Sequence, residues 1–166
     1  MASGDTLMAF SANSYFPPES NYALPTVRGA TVPVPILNFT SSGDASAYFL
    51  LHMPNHYSGN GVNFNIAWAC DTATSGIVGW QVAFSRLNAA SQDLDGVTFS
   101  AAVTVSAITT SATAGVLTTS SLSISPGTTM NSVTTGDWFV LSVTNYTAGN
   151  TATGYTQMLG AALVER

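Results

Sequence analysis

The sequence predicts an all-β chain, an antiparallel sandwich or barrel in one domain, and three observations carry that reading. Apolar residues alternate with polar ones over many short runs, and no window holds a helical apolar period. Clusters of Gly, Ser, Thr, Asn and Asp separate the runs at regular intervals. Aromatic residues make up 10% of the chain, with valine and isoleucine spread throughout, which sets it apart from a disordered Ser/Thr-rich polymer.

In chain order, the candidate strands are 7–16, 31–39, 45–53, 62–70, 76–87, 98–108, 115–124, 137–144 and 154–164. The clearest is 62–70, which puts Val62, Phe64, Ile66, Trp68 and Cys70 on one face. Run 76–87 does the same with Val78, Trp80, Val82 and Phe84. The small polar residues between them, 71–76, predict a turn, so the two runs are expected to pair as an antiparallel hairpin. Further turns are expected at 41–44, 56–61, 89–96, 111–115 and 146–150, and a short helical turn within 125–137. Five of the seven prolines lie in 15–35, which predicts an extended strap at the sandwich edge. Deleting residues 1–18 is expected to spare the fold. No composition break divides residues 1–166, so one domain is expected.

Runs 45–53, 137–144 and 154–164 carry apolar residues at both parities. In the last of these, Tyr155, Leu159 and Leu163 oppose Met158, Ala162 and Val164. A sheet facing water on one side would not tolerate this. A second region of the chain or a neighbouring subunit is expected to cover those faces.

Composition excludes several functions. Only 7% of residues are charged, the basic ones being Arg28, Arg86 and Arg166, and the net charge is −5. Such a chain cannot neutralise many phosphates, so nucleic acid is not an expected partner. No apolar stretch approaches the ~20 residues of a spanning helix, so no membrane partner is expected either. The opening MASGDTLMAF has neither a basic region nor an apolar one, which predicts a chain made in a cytoplasm and left unprocessed. Cys70, the one cysteine, falls in an alternating run and reads as a core residue.

The search for chemistry yields no catalytic, metal or cofactor site. His52 and His56 have the spacing of a helical zinc pair, but Pro54 between them breaks any helix. Asp93-Leu94-Asp95-Gly96 is a fragment of a calcium loop without the later ligands, and reads as a polar turn. No nucleophile elbow or phosphate loop occurs, and the eight acids are scattered, so an enzyme is not expected. The candidate interaction surface is Tyr15, Phe16, Tyr22, His56 and Tyr57, in or beside loops, where aromatic rings can stack on sugars or pack a subunit contact.

Four segments, MASGDTLMAF, 53–69 (MPNHYSGNGVNFNIAWA), 73–87 (ATSGIVGWQVAFSRL) and 129–144 (TMNSVTTGDWFVLSVT), resemble in order a group of small proteins encoded by tailed bacteriophages and prophages. The chain departs from that pattern where Val143-Thr144-Asn145 brings no basic residue after the DWFVLSV strand. The resemblance implies an antiparallel jelly-roll-like β-sandwich of about eight strands that assembles as a homotrimer. It further implies a capsid decoration or cement protein on the outer surface of the virion head, bound to the major capsid protein or another virion protein. The alternative is the receptor- or glycan-binding jelly-roll head of a tail or head fibre, with a host surface glycan as partner. No cofactor is expected in either role.

Overall fold

The computed structural model describes residues 4–88 and 92–166. The first three residues, and 89–91 of the expected turn at 89–96, lie outside the described residues. Eleven strands occur among those described: β1 (Thr6–Ser11), β2 (Tyr15–Phe16), β3 (Leu24–Arg28), β4 (Val34–Phe39), β5 (Ala45–His52), β6 (Val62–Cys70), β7 (Ile77–Leu87), β8 (Val103–Thr109), β9 (Thr118–Ile124), β10 (Trp138–Asn145) and β11 (Thr156–Glu165). Short 3₁₀ turns join some of them, including the expected one in 125–137, at Gly127–Met130.

The strands form two antiparallel sheets, one in the order β3-β4-β11-β6-β9 with β1 also on β11, the other β2-β5-β10-β7-β8. The fold is an all-β jelly-roll sandwich, as the sequence predicts, with more strands than the eight expected. From β4 onward the chain crosses between sheets at nearly every connection; β7 to β8 is the exception. The faces that alternation turns inward share one core, which includes Phe39, Phe49, Phe64, Trp68, Trp80, Phe84 and Phe139. Cys70 is buried in it as a free thiol. Burial raises that thiol's pKa, the neighbouring Asp71 adds to the rise, and a hydrogen bond with Thr156 opposes it.

Four expectations need correction. First, β6 and β7 are not a hairpin, because they lie in opposite sheets. An aromatic row pointing inward looks the same whether its partner lies beside it or across the core. Residues 71–76 therefore bridge the ~10 Å between layers. Gly76 makes the entry into β7 possible: its φ is +101°, and an added Cβ would stand 2.9 Å from the Ala152 nitrogen.

Second, the two-sided pattern of 154–164 comes from a register shift between Met158 and Gly160. The irregularity turns Met158 inward before it and Leu163 inward after it, though their parities differ. Third, 15–35 is only partly a strap. Tyr15–Phe16 pairs with β5, and Leu24–Arg28 pairs with β4 as an edge strand, where a proline such as Pro25 is tolerated. Fourth, β1 completes one sheet along Gly160–Val164 and buries Leu7 and Phe10, so deleting residues 1–18 would remove a strand of the fold.

Candidate functional site

The outer face of the five-stranded sheet carries the chemistry. On β5 the inward side chains are Ala47 and Phe49, leaving Tyr48, Leu50 and His52 outward. On β10, Phe139 and Leu141 point in, while Trp138 and Val140 point out. The register places Phe16 beside Tyr48, Leu50 beside Val140, and His52 beside Trp138, with Leu87 on the far side of Trp138. An apolar floor therefore crosses four strands, β2, β5, β10 and β7.

The expected cover is partial, and the same chain supplies it. Residues 97–100 lie against β7: the Ser100 N–H donates to the Phe84 carbonyl at 2.7 Å, and Ser85 Oγ donates to the Thr98 carbonyl at 2.9 Å. This anchors Phe99, whose ring lies 5.1 Å from that of Tyr48, with Phe16 5.8 Å from Tyr48 on the other side. Between Phe16, Tyr48, Phe99, Leu50 and Val140 lies an open groove of about 410 Å³. Phe16 remains 39% exposed and Phe99 38%.

A second aromatic station stands four residues along β5. There the His52 and Trp138 rings lie 5.0 Å apart, and Trp138 is 53% exposed. Four residues of antiparallel strand span about 14 Å, so the two stations are more than one pyranose ring apart. Polar groups mark both ends of this face. Ser46 Oγ and Thr144 Oγ1 share a hydrogen bond of 2.8 Å beyond Tyr48. Beyond Trp138, the Arg86 Nε lies 2.8 Å from Asp137 Oδ2 and Nη2 donates to Oδ1 at 3.1 Å. Burial pushes the Asp137 carboxyl upward, but the Thr134 N–H, Arg86 and the Thr134 hydroxyl outweigh it and leave its pKa lowered.

Of the five residues singled out in the sequence, Phe16 alone lines the groove. Tyr15 packs partly against the core, and burial, with Tyr22 adding to it, raises its phenol's pKa. Tyr22 is exposed at the sheet edge, bridged to Ser46. His56 is exposed in the turn after β5. Tyr57 is a correction, since only 5% of it is exposed. Its hydroxyl donates to Met130 Sδ at 3.6 Å and accepts the Gly61 N–H at 3.0 Å, so it braces the loop and offers no stacking face. Burial raises its pKa, against the Gly61 hydrogen bond and with Glu165 adding to the rise. Sequence reading looked for binding aromatics in loops and missed Tyr48, Phe99 and Trp138. Outward parity on 45–53 and 137–144 was the available signal for Tyr48 and Trp138. His52 sits on β5 against Trp138 while His56 lies in the turn that follows, and Asp93 accepts the Asp95 N–H, making that segment a capped turn.

No family model matches the sequence, and no curated protein matches it. Solved structures do share the fold. A carbohydrate-binding module of Cellvibrio mixtus lichenase 5A, solved in complex with cellotriose, superposes with a TM-score of 0.51 at 12% identity, covering 97% of this chain and 98% of that one. The xylan-binding CBM22-1 domain of Paenibacillus barcinonensis Xyn10C gives 0.51 at 16% identity over 100% and 99%. The CBM22-1–GH10 modules of Clostridium thermocellum Xyn10B, complexed with xylohexaose, give 0.54 at 12% identity, covering 98% of this chain and 28% of that chain. These likenesses establish the jelly-roll sandwich. They also correct the expectation of a capsid decoration or cement protein, because the first two are described as a carbohydrate-binding module in complex with cellotriose and a xylan-binding domain: this architecture is similar to carbohydrate-binding modules.

Proposed function

We propose that the chain is a non-catalytic module that binds a neutral glycan along the outer face of the five-stranded sheet. The observation that carries this is the pair of exposed aromatic stations, Phe16/Tyr48/Phe99 and His52/Trp138, about 14 Å apart over an apolar floor. Aromatic faces carry a negative quadrupole that attracts the weakly positive C–H face of a sugar ring, and they bury large area with few rotors. Hydroxyls and a charged pair at the ends supply hydrogen bonds for orientation. The cellotriose-bound and xylan-binding modules that share the fold support a glucan- or xylan-type chain as ligand. The net charge of −5 disfavours polyanionic glycans.

The test is titration of the protein with cello- and xylo-oligosaccharides, with Trp138→Ala and Tyr48→Ala as variants. Saturable binding that tightens with chain length and is lost in both variants supports the reading. No binding by any neutral oligosaccharide, or binding indifferent to both substitutions, removes it.

From the segment resemblance alone, we further propose a setting as the sugar-recognising head of a bacteriophage fibre. Purified protein would then block adsorption of the phage that carries it, and unimpaired adsorption would count against that setting.

A further inference from the structure

The opposite sheet holds a smaller pocket that the glycan reading does not use. It lies outside β4, β11 and β6, beside the β3–β4 turn, and has a volume of about 210 Å³. Its floor is Ile36, whose side chain points away from the core and is nonetheless only 2% exposed. Leu159, Val34, Val32 and Leu117 form apolar walls, the last two well exposed at the mouth.

One polar side chain enters this lining with charge to spend. Arg28, the last residue of β3, donates from Nη1 to Gln157 Oε1. Gln157 is itself 7% exposed and donates onward to Asn38 Oδ1 at 2.9 Å. The guanidinium also lies against the backbone of Gly115, where an added Cβ would crowd Nη2. Gly115 has a φ of +77°, so a side chain is disfavoured there by the backbone conformation.

The electrostatics single Arg28 out. Of the three cations, Arg86 is paired with Asp137, and Arg166 donates to Ser125 at the exposed end of β11. Among the described residues Arg28 has no carboxylate partner, only a neutral amide. A guanidinium presents five N–H donors in a fork matched to carboxylate, and one is spent on Gln157. The pocket is below the ~300–1,000 Å³ usual for drug-sized ligands, so its occupant is smaller than those.

We infer that this pocket binds a compact monocarboxylate with a hydrocarbon body, the carboxylate on Arg28 and the body against Ile36, Val34 and Leu159. The chain's negative balance works against polyanions but leaves a single charge acceptable to a local guanidinium. The site is independent of the glycan groove, being on the other sheet.

The experiment titrates the intact protein with 4-methylpentanoate and follows the backbone amides of Gly29, Gly115, Leu117 and Leu159 by NMR. We expect saturable shifts at those amides, weakened at least about tenfold when the neutral 4-methylpentanamide replaces the acid. Arg28→Gln should bring the same loss, and Leu117→Ala, which keeps the cation, a smaller one. Equal binding of acid and amide overturns the role of Arg28, and this comparison needs no variant to fold. Tighter binding of glucuronate than of 4-methylpentanoate overturns the hydrocarbon body. Absence of saturation by any of them in the millimolar range overturns the site.

Discussion

Trp68 and Trp80 meet edge to face across the sandwich, ring centroids 6.3 Å apart, although their strands follow one another in sequence and belong to opposite sheets. Both rings are fully buried, but they differ in one respect. Trp68 Nε1 donates to Ser120 Oγ at 2.9 Å, whereas Trp80 Nε1 has no hydrogen-bond partner among the described residues. Trp68→Phe thus loses a hydrogen bond, while Trp80→Phe removes an unsatisfied donor. Urea denaturation should find Trp80→Phe less destabilising, by about 1 kcal/mol. Equal costs would show that lost ring volume governs both sites.

Of the three tryptophans, Trp138 alone is open to solvent. Acrylamide should quench one component of the native fluorescence and leave the rest protected. Trp138→Phe should remove the quenchable part while leaving the unfolding free energy within about 0.5 kcal/mol of wild type, the usual range for a surface change. A bound oligosaccharide should shield that component. Quenching that persists in Trp138→Phe would mean that Trp68 or Trp80 is reachable.

The Arg86–Asp137 pair makes stability depend on pH with a definite sign. Asp137 titrates below its ordinary value of 3.8 in the folded chain, so its contribution is fully present above that value. It is lost as pH falls through the lowered folded value. Asp137→Asn should flatten the acid limb of a Tm-against-pH curve and leave its neutral part parallel to wild type. A variant whose acid limb matches wild type would place the sensitive carboxylate elsewhere.

Removing residues 1–11 should destabilise the fold by at least about 3 kcal/mol, since Leu7 and Phe10 are buried and each such side chain contributes about 1.5–3 kcal/mol. The strand is fitted closely: a Cβ on Gly160 would stand 2.7 Å from the Phe10 carbonyl oxygen. Gly160→Ala should therefore loosen β1 selectively, read as faster amide exchange from Thr6 to Ser11. Unchanged exchange there would deny the fit.

Much of the fold was legible because strand alternation depends on residue identity alone. The inward row of 62–70 is buried as read. Pairing was less legible, since nothing local distinguishes a neighbour in the sheet from a partner across the core, and Trp68 and Trp80 fit both. The register irregularity near Met158 also hid itself, because one extra residue makes a one-sided strand look two-sided. The groove escaped for a further reason. Phe99 reaches Tyr48, distant in sequence, because hydrogen bonds from Ser85 and Ser100 hold its segment, which belongs to no strand, against β7.

The place of β11 has a consequence in time. It lies inside the six-stranded sheet, paired with β6 on one edge and with β4 and β1 on the other. Until β11 has been synthesised, β1 and the β3–β4 pair have no route into that sheet, and the edges of β4 and β6 stand open. Assembly must wait for it, and contacts so distant in sequence close slowly. During that wait the nascent chain presents unpaired strand edges and aromatic surface, the species most prone to aggregate. Translation that stalls before Thr156 would therefore release a chain with half of its sandwich unable to close.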